Sequence, residues 1–580
     1  MKWDKILKRF TAGVLCAAMI GSLAACGSNE QEQKPDAQVK EKGEVENVTL
    51  TGFIAFGGNS SATQKATWFT DILKEKLGIT LNLQDDVGTG AGQIMQSLLA
   101  SGELPDIVGF NNPKDAKNAA SAGLLLNLND YKDQLPNIFE NENYDSARSY
   151  QEDLSGGDEK GLYIIPTKVG PQDDINFNPQ LRWDIYKKVG KPDINTLEDY
   201  IPVLKAMQEA YPETEDGKPV YGLSLFSGWD GNNMALATYI STLYGVDSRG
   251  ISPFTEAPSD GNGDVISILD NDSKYKRVLD FFYKANQEGL VDPDSITQKW
   301  DNVLDKYNNG QILFSPWEWA TTGFNTTDRT NVDDFQGYQS VWAKDFTVPI
   351  LQDNLTGENW SLGISAACKN KEAALKFLNY FYSYECVDLL YNGPEGEVWE
   401  TDEDGMRYVT EPGWDILDNG KELSAGGKIL DAYNIVNSSS MTSQTMHPDT
   451  KDQTVSYTYW DATLDRDRDA NKLVSDWKAD HDNAVNMFLY AKENNKNLVK
   501  TCSAFTMMSS PPDDLQTPIS QIADVVKTYS WKMVFAKDQS EYDALWEEMQ
   551  TKATGLGLDQ VMEWGTKEFE NALAKEAKYK

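Results

Sequence analysis

The chain is poor in the residues that most chemistry uses. Among 580 residues there are only two histidines, His447 and His481, and five cysteines. No His-Glu-x-x-His and no Gly-x-Ser-x-Gly is present, so the familiar zinc-hydrolase and serine-hydrolase signatures are absent. Positive charge is also scarce: 53 Lys and Arg stand against 90 Asp and Glu, a formal net charge of −37. An envelope of that sign repels phosphate backbones and anionic surfaces, which argues against nucleic acid as a partner and favours a neutral ligand over a polyanionic one. Much of the charge serves solubility. One apolar run occurs, Ala12 to Ile20, and it falls short of the roughly 20 residues a spanning helix needs. No repeat of a period that would indicate a solenoid or propeller is visible.

That short run sits behind Lys2, Lys5, Lys8 and Arg9 and ahead of Leu23-Ala24-Ala25-Cys26. A positive start, a short apolar centre and a small-residue cleavage site read as a secretory signal over 1–25. A cysteine directly after Leu-Ala-Ala resembles the bacterial lipobox. The resemblance implies cleavage before Cys26 and acylation of that residue, giving a protein anchored to the cell membrane on its extracellular face. Loss of the signal takes the net charge from −37 to −40, since four basic residues and Asp4 leave with it. Residues 26–47 are polar and charged and read as a flexible tether. Of the remaining cysteines, Cys368, Cys386 and Cys502 show no metal-ligand spacing. Cys368 lies just before one expected helix and Cys386 late within it, too far along to bridge if that helix is continuous, so all three are expected to be reduced and buried.

From Val48 the pattern is strand (48–54), helix (around Trp68, Phe69, Ile72 and Leu73, stopped by Gly78) and strand (79–83). A second helix (around Ile94 to Leu99, stopped by Gly102) and a third strand (106–110) follow. This β-α-β-α-β order predicts a parallel sheet with covering helices, whose ligand loops lie at the carboxyl ends of the strands. Gly88-Thr89-Gly90-Ala91-Gly92 imitates a dinucleotide fingerprint, but its third glycine is misplaced and no acidic residue closes the second strand; it reads as a glycine-rich helix entry. Later segments alternate again. A strand is expected at 221–226, helices at 182–189, 197–211, 275–286 and 300–308, one long helix at 371–391, and a hairpin at 397–409 turning at Asp404-Gly405. Asp260-x-Asn262-x-Asp264 and Asp465-x-Asp467-x-Asp469 have the opening spacing of a calcium loop, but lack glycine at position six and glutamate at position twelve. They read as a turn and a solvated helix face, and neither a metal nor a cofactor is expected.

Several passages resemble the family-1 extracellular solute-binding proteins of ABC importers, the carbohydrate-binding, maltose-binding-protein-like type. They are Ser97 to Val108 (SLLASGELPDIV), Gly123 to Leu128, Phe177-Asn178 with Leu181 to Gly190, and Phe314-Ser315-Pro316-Trp317-Glu318-Trp319, which resembles that family's Gly-Pro-Trp-Ala-Trp passage. The resemblance spans most of Val48 to Tyr391 and implies an α/β, two-lobed, periplasmic-binding-protein-like (type II) fold with an interlobe cleft. On that basis the N-terminal lobe is 48–168 and the C-terminal lobe 169–358. Residues 359–505 are a return to the N-terminal lobe plus an unassigned insertion from 392 to 500, and 506–580 are C-terminal helices on the second lobe. The implied action is capture of a neutral oligosaccharide by hinge closure and delivery to permease subunits, by a monomer without catalysis.

Sugars offer flat C–H faces and rings of hydroxyls, which aromatic planes and planar polar groups complement. The chain holds 16 Trp, several in loops after expected strands. By resemblance Trp317, Trp319 and Trp229 are ligand-binding candidates, and core packing is the alternative for each. Asn59, Phe110 and Asn111 follow the first and third strands. Trp360 lies at a crossing between lobes, and Trp460 is a candidate roof for the cleft. The other readings left open are a surface-anchored glycosidase, since no carboxylate pair can be singled out or dismissed among 90 acidic residues, a surface lectin, and a receptor for a peptide or another polar solute.

Overall fold

A computed structural model describes residues 47–58, 60–85, 90–155, 160–247, 253–357, 360–450, 453–468, 471–494 and 496–579. Cys26, Asn59 and the first two residues of the glycine-rich entry, Gly88 and Thr89, lie outside these residues, as do Asp469 and the side chains of Asp465 and Asp467.

The first lobe is built on a five-stranded sheet. Its spatial order is Ile79–Leu83, Val48–Ile54, Ile107–Phe110, Ser361–Ile364, Ile165–Pro166. Val48–Ile54 runs parallel to both of its neighbours. Parallel neighbours need crossover helices, and Thr67–Leu77 and Ala91–Ser101 supply them. Each ends on a left-handed glycine, Gly78 at φ 70° and Gly102 at φ 71°, which releases the chain into the next strand. The outer strand Ile79–Leu83 alternates buried and exposed, whereas the central Ile107–Phe110 is buried throughout because both of its faces are covered. Leu50, Ile54 and Ile107 enter one large core, while Phe53, Val108 and Phe110 enter a smaller one on the opposite face with Met95, Ala116 and Ala119. Asp106 is an anchor: its Oδ2 accepts from the amide and hydroxyl of Thr51, at 2.9 and 2.8 Å.

The chain leaves this sheet at Pro166 and returns to it at Ser361, which runs antiparallel and pairs with Phe110. A second core gathers residues from Phe177 to Val348 with the C-terminal helices Asp513–Val534, Gln539–Gly555 and Leu558–Tyr579. Its small sheet has the order Tyr338–Ser340, Gln180–Arg182, Phe314–Ser315, all antiparallel. The two cores and the sheet topology form an α/β, two-lobed fold of type II.

Between the two cores, described segments of the chain run side by side. The amide of Gly170 donates to the carbonyl of Asn354 at 3.0 Å, and the reverse bond is 2.8 Å. Ile175 bridges Ile350, and Val348–Ile350 runs parallel to Leu498–Lys500. Gly170 has φ +135°, and a Cβ there would collide with the hydroxyl of Thr445, so the crossing requires glycine.

Three details differ from the sequence pattern. The segment 371–391 is two helices, Lys371–Phe381 and Tyr384–Asn392, because Ser383 caps the second, accepting from the amide of Cys386 at 3.2 Å. Residues 221–226 have backbone partners at Leu290, Gln311 and Leu313 but form isolated bridges, not a regular strand. The unassigned stretch divides: Val398, Trp399, Ile429, Val436 and Trp460 fill the first core, while Leu473, Trp477 and Met487 belong to the second. The hairpin forms, with Trp399–Thr401 paired to Arg407–Val409 and Gly405 at φ +81° in its turn. Cys368, Cys386 and Cys502 are buried, and burial pushes the Cys368 thiol up to about 12. Asp260 forms a local turn, its Oδ1 accepting from the amide of Asn262 at 2.9 Å.

Candidate functional site

The strand Phe314–Ser315 ends at Pro316, and the chain then turns through Trp317 and Glu318 into a short helix at Trp319–Thr321. Ser315 fixes the turn: its hydroxyl donates to the carbonyl of Trp317 at 2.8 Å and accepts from that residue's amide at 3.1 Å. The loop after Phe226 brings Trp229 to the same place. Asp230 holds this loop, accepting from the indole of Trp531 at 2.7 Å and from the amide of Ala235 at 2.9 Å. Burial raises the Asp230 pKa, and these two donors oppose the rise. The helix Trp300–Asn308 contributes its first residue.

Four indoles thereby meet. Trp229 lies 4.9 Å from Trp300, 5.7 Å from Trp317 and 6.2 Å from Trp319, measured between ring centroids. Trp300 is 6.1 Å from Trp317 and 5.1 Å from Trp319, and Trp317 is 5.4 Å from Trp319. Tyr239 packs edge-on against Trp317 at 5.8 Å and reaches Phe177 at 5.7 Å. The rings are not equally placed. Trp319 is 47% exposed and Trp229 38%, while Trp317 is only 4% exposed. Trp319 and Trp229 present faces to solvent, and Trp317 supports them from behind.

Beside the indoles stands a polar group of fixed geometry. The Asn178 side-chain amide donates to Glu318 Oε2 at 2.7 Å, and its Oδ1 accepts from the indole of Trp342 at 2.9 Å. Glu318 is exposed to solvent, yet desolvation raises its pKa, with the charge of Asp174 adding to the rise. Asp174 in turn accepts from the hydroxyl of Tyr459 at 2.8 Å. Tyr459 belongs to the segment that packs on the first lobe, so both lobes adjoin this corner.

On the first lobe, the carboxyl ends of the strands carry a second aromatic pair. Phe56 and Trp360 stack 5.0 Å apart at 9°, and the Lys168 ammonium lies 5.3 Å from the Trp360 ring. Asn111 is exposed and donates to the carbonyl of Ala55 at 3.1 Å, and Asn437 donates to that of Phe56 at 2.7 Å.

The eight residues singled out from sequence therefore separate. Trp229, Trp317 and Trp319 come together; Trp360 and Asn111 sit at the strand ends of the first lobe; Asn59 lies outside the described residues. Two expectations need correction. Phe110 is fully buried on the smaller core face, because the central strand is covered on both sides. Trp460 does not roof a cleft. It is buried against Trp399, its indole donates to the carbonyl of Thr454 at 2.9 Å, and the Arg407 guanidinium covers it at 4.7 Å. Sequence reasoning missed Trp300, Tyr239, Glu318, Asn178 and Trp342. A tryptophan as the first residue of an expected helix was the available signal for Trp300, and Asn178 and Glu318 lie inside the family-like passages; Tyr239 and Trp342 had none. Neither histidine joins the cluster: His447 pairs with Asp388 at 3.1 Å and His481 stacks on Trp477 at 3.9 Å.

A two-lobed α/β fold with aromatic planes at its strand ends defines a ligand-binding protein of the type II class. Residues 59–385 match the family described as "Bacterial extracellular solute-binding protein", more than half of the chain, and the chain belongs to that family. The fructooligosaccharide ABC transporter substrate-binding protein FusA of Streptococcus pneumoniae is 24% identical over 324 residues, 53% of this chain; the match covers 57% of that relative's length. Among solved structures, S. pneumoniae FusA in complex with kestose has a TM-score of 0.60 at 15% identity, covering 91% of this chain and 100% of that one. An HMO-binding, ABC-transporter-associated solute-binding protein of Bifidobacterium longum infantis has a TM-score of 0.56 at 17% identity, covering 90% and 99%. At these identities the structural likeness carries the fold.

Proposed function

We propose that this protein is the extracellular receptor of an ABC importer. It captures a neutral oligosaccharide between its lobes and passes it, unchanged, to the permease. The observation that carries this reading is the group of four mutually contacting tryptophans, two of them exposed, at the loops of the second lobe. Indoles are large, rigid surfaces that cover a sugar's C–H face at little cost in conformational entropy. The sugar chemistry in the names of FusA and of the B. longum protein supports the same class. Closure follows if the ligand touches both lobes, because only a ligand with higher affinity for the closed form shifts the population towards it. Anchoring through acylated Cys26, a monomeric state and the absence of catalysis belong to the same proposal. No helix among the described residues is long and apolar enough to cross a membrane.

The test is calorimetry and thermal shift with neutral oligosaccharides, followed by chromatography of the recovered sugar. Saturable binding with a rise in Tm and an intact sugar is expected. Cleaved product would favour a glycosidase, and failure of every sugar alongside binding of peptides would overturn the sugar assignment.

A further inference from the structure

We propose that Glu318 sets the charge selectivity of the site: its carboxylate accepts a hydroxyl of a neutral saccharide lying on Trp319 and excludes sugars that carry a carboxylate. The inference rests on the saccharide reading above and adds to it a residue and a rule. In the passage Pro316-Trp317-Glu318-Trp319, glutamate stands between the two tryptophans where the resembling pattern has alanine.

Three observations support the role. First, Glu318 is held ready. Asn178 donates to Oε2 and is itself locked by Trp342, and no other described residue donates to the Glu318 carboxylate, which leaves Oε1 with acceptor capacity beside an exposed indole. An acceptor fixed in advance loses little freedom when a hydroxyl arrives. Second, the group is accessible yet desolvated, which strengthens any charge it feels. Third, the local charge is one-sided. Asp174 is near enough to raise the Glu318 pKa, and among the described residues neither carboxylate is ion-paired to a lysine or arginine. Adjoining cations are instead engaged elsewhere: Lys492 with Asp173, and Lys500 with Asp353 at 3.0 Å. A uronate placed on Trp319 would bring a further negative charge beside two carboxyl groups that have no cation paired to them among the described residues, the juxtaposition that specific interfaces use to reject a wrong partner.

The test is titration calorimetry on the whole mature protein with five probes: kestose, cellotriose, mannotriose, chitotriose and trigalacturonate. Wild type is expected to bind at least one neutral trisaccharide about a hundredfold or more tighter than trigalacturonate. Glu318→Gln removes the charge and keeps the shape. It is expected to weaken the neutral ligand about fivefold, through loss of a charged acceptor, and to strengthen trigalacturonate about tenfold. Effects of opposite sign cannot come from a damaged fold, which would weaken both; Glu318→Ala, expected to weaken the neutral sugar further, is the second variant. Trigalacturonate binding to wild type as tightly as the best neutral sugar, or both affinities falling together in Glu318→Gln, overturns the role of Glu318 while leaving the oligosaccharide receptor in place. Failure of wild type to bind any of the five removes that receptor reading, and this inference with it.

Discussion

Replacing Trp319 with alanine removes the most exposed indole of the cluster, and its effect should fall on binding, not on folding. Nearly half of the side chain, 47%, faces solvent in the free protein. A tryptophan presents about 150–250 Å² in all, so roughly 70–120 Å² is free for a sugar to cover. At about 25 cal/mol per Å² this is worth about 2–3 kcal/mol, or about thirty- to a hundred-and-fifty-fold in Kd. Trp317 provides the contrast. It is 4% exposed and packs against Trp229, Trp300, Trp319 and Tyr239, so Trp317→Ala opens a cavity and should cost about 3–5 kcal/mol of stability. Calorimetry with the tightest-binding oligosaccharide, paired with urea unfolding of both variants, separates the two effects. The reasoning is refuted if Trp319→Ala binds every sugar as wild type does, or if it loses as much stability as Trp317→Ala.

The interior placement of Trp460 predicts that Trp460→Ala lowers stability by about 3–5 kcal/mol while leaving the per-molecule affinity of the folded protein unchanged; a large change in Kd at unaltered Tm would return this residue to the cleft. Acid should weaken the second lobe through Glu198. Arg277 binds it with two hydrogen bonds, at 2.9 and 2.7 Å, and holds its pKa down to about 2 from an ordinary 4.5. A depressed folded-state pKa contributes stability above 4.5 that is lost as pH falls towards 2, so Glu198→Gln should flatten the fall of the urea midpoint in that window. Cys26→Ser in the full precursor should move the protein from the membrane fraction to the medium, read by fractionation and intact mass.

The first lobe was largely legible because its signals are local. Gly78 and Gly102 end helices wherever the chain later goes, and Ile79–Leu83 alternates because an outer strand has one wet face. Its central strand was legible as a strand, but the destination of its last residue was not: Phe110 follows the pattern of a ligand loop, and only the packing of Met95, Ala116 and Ala119 against it shows that its side chain enters a core. The break at Ser383 was also local in cause, yet a continuous apolar periodicity on either side concealed it.

The sequence by itself determined the kinds of surface available: an acidic envelope, few nucleophiles, many indoles, and a lipobox-like cysteine at the head of a polar tether. These depend on composition and short-range order, which no folding step changes. Only the tertiary structure decided which indoles share a site. Trp229, Trp300 and Trp319 are far apart in the chain and meet because separate loops and a helix of the second lobe end at one place, while Trp460, equally aromatic and equally placed beside turns, is drawn into the first core by Trp399 and Arg407. An indole serves a core and a binding surface with the same chemistry, so its role is set by what packs against it, and that is a property of the fold.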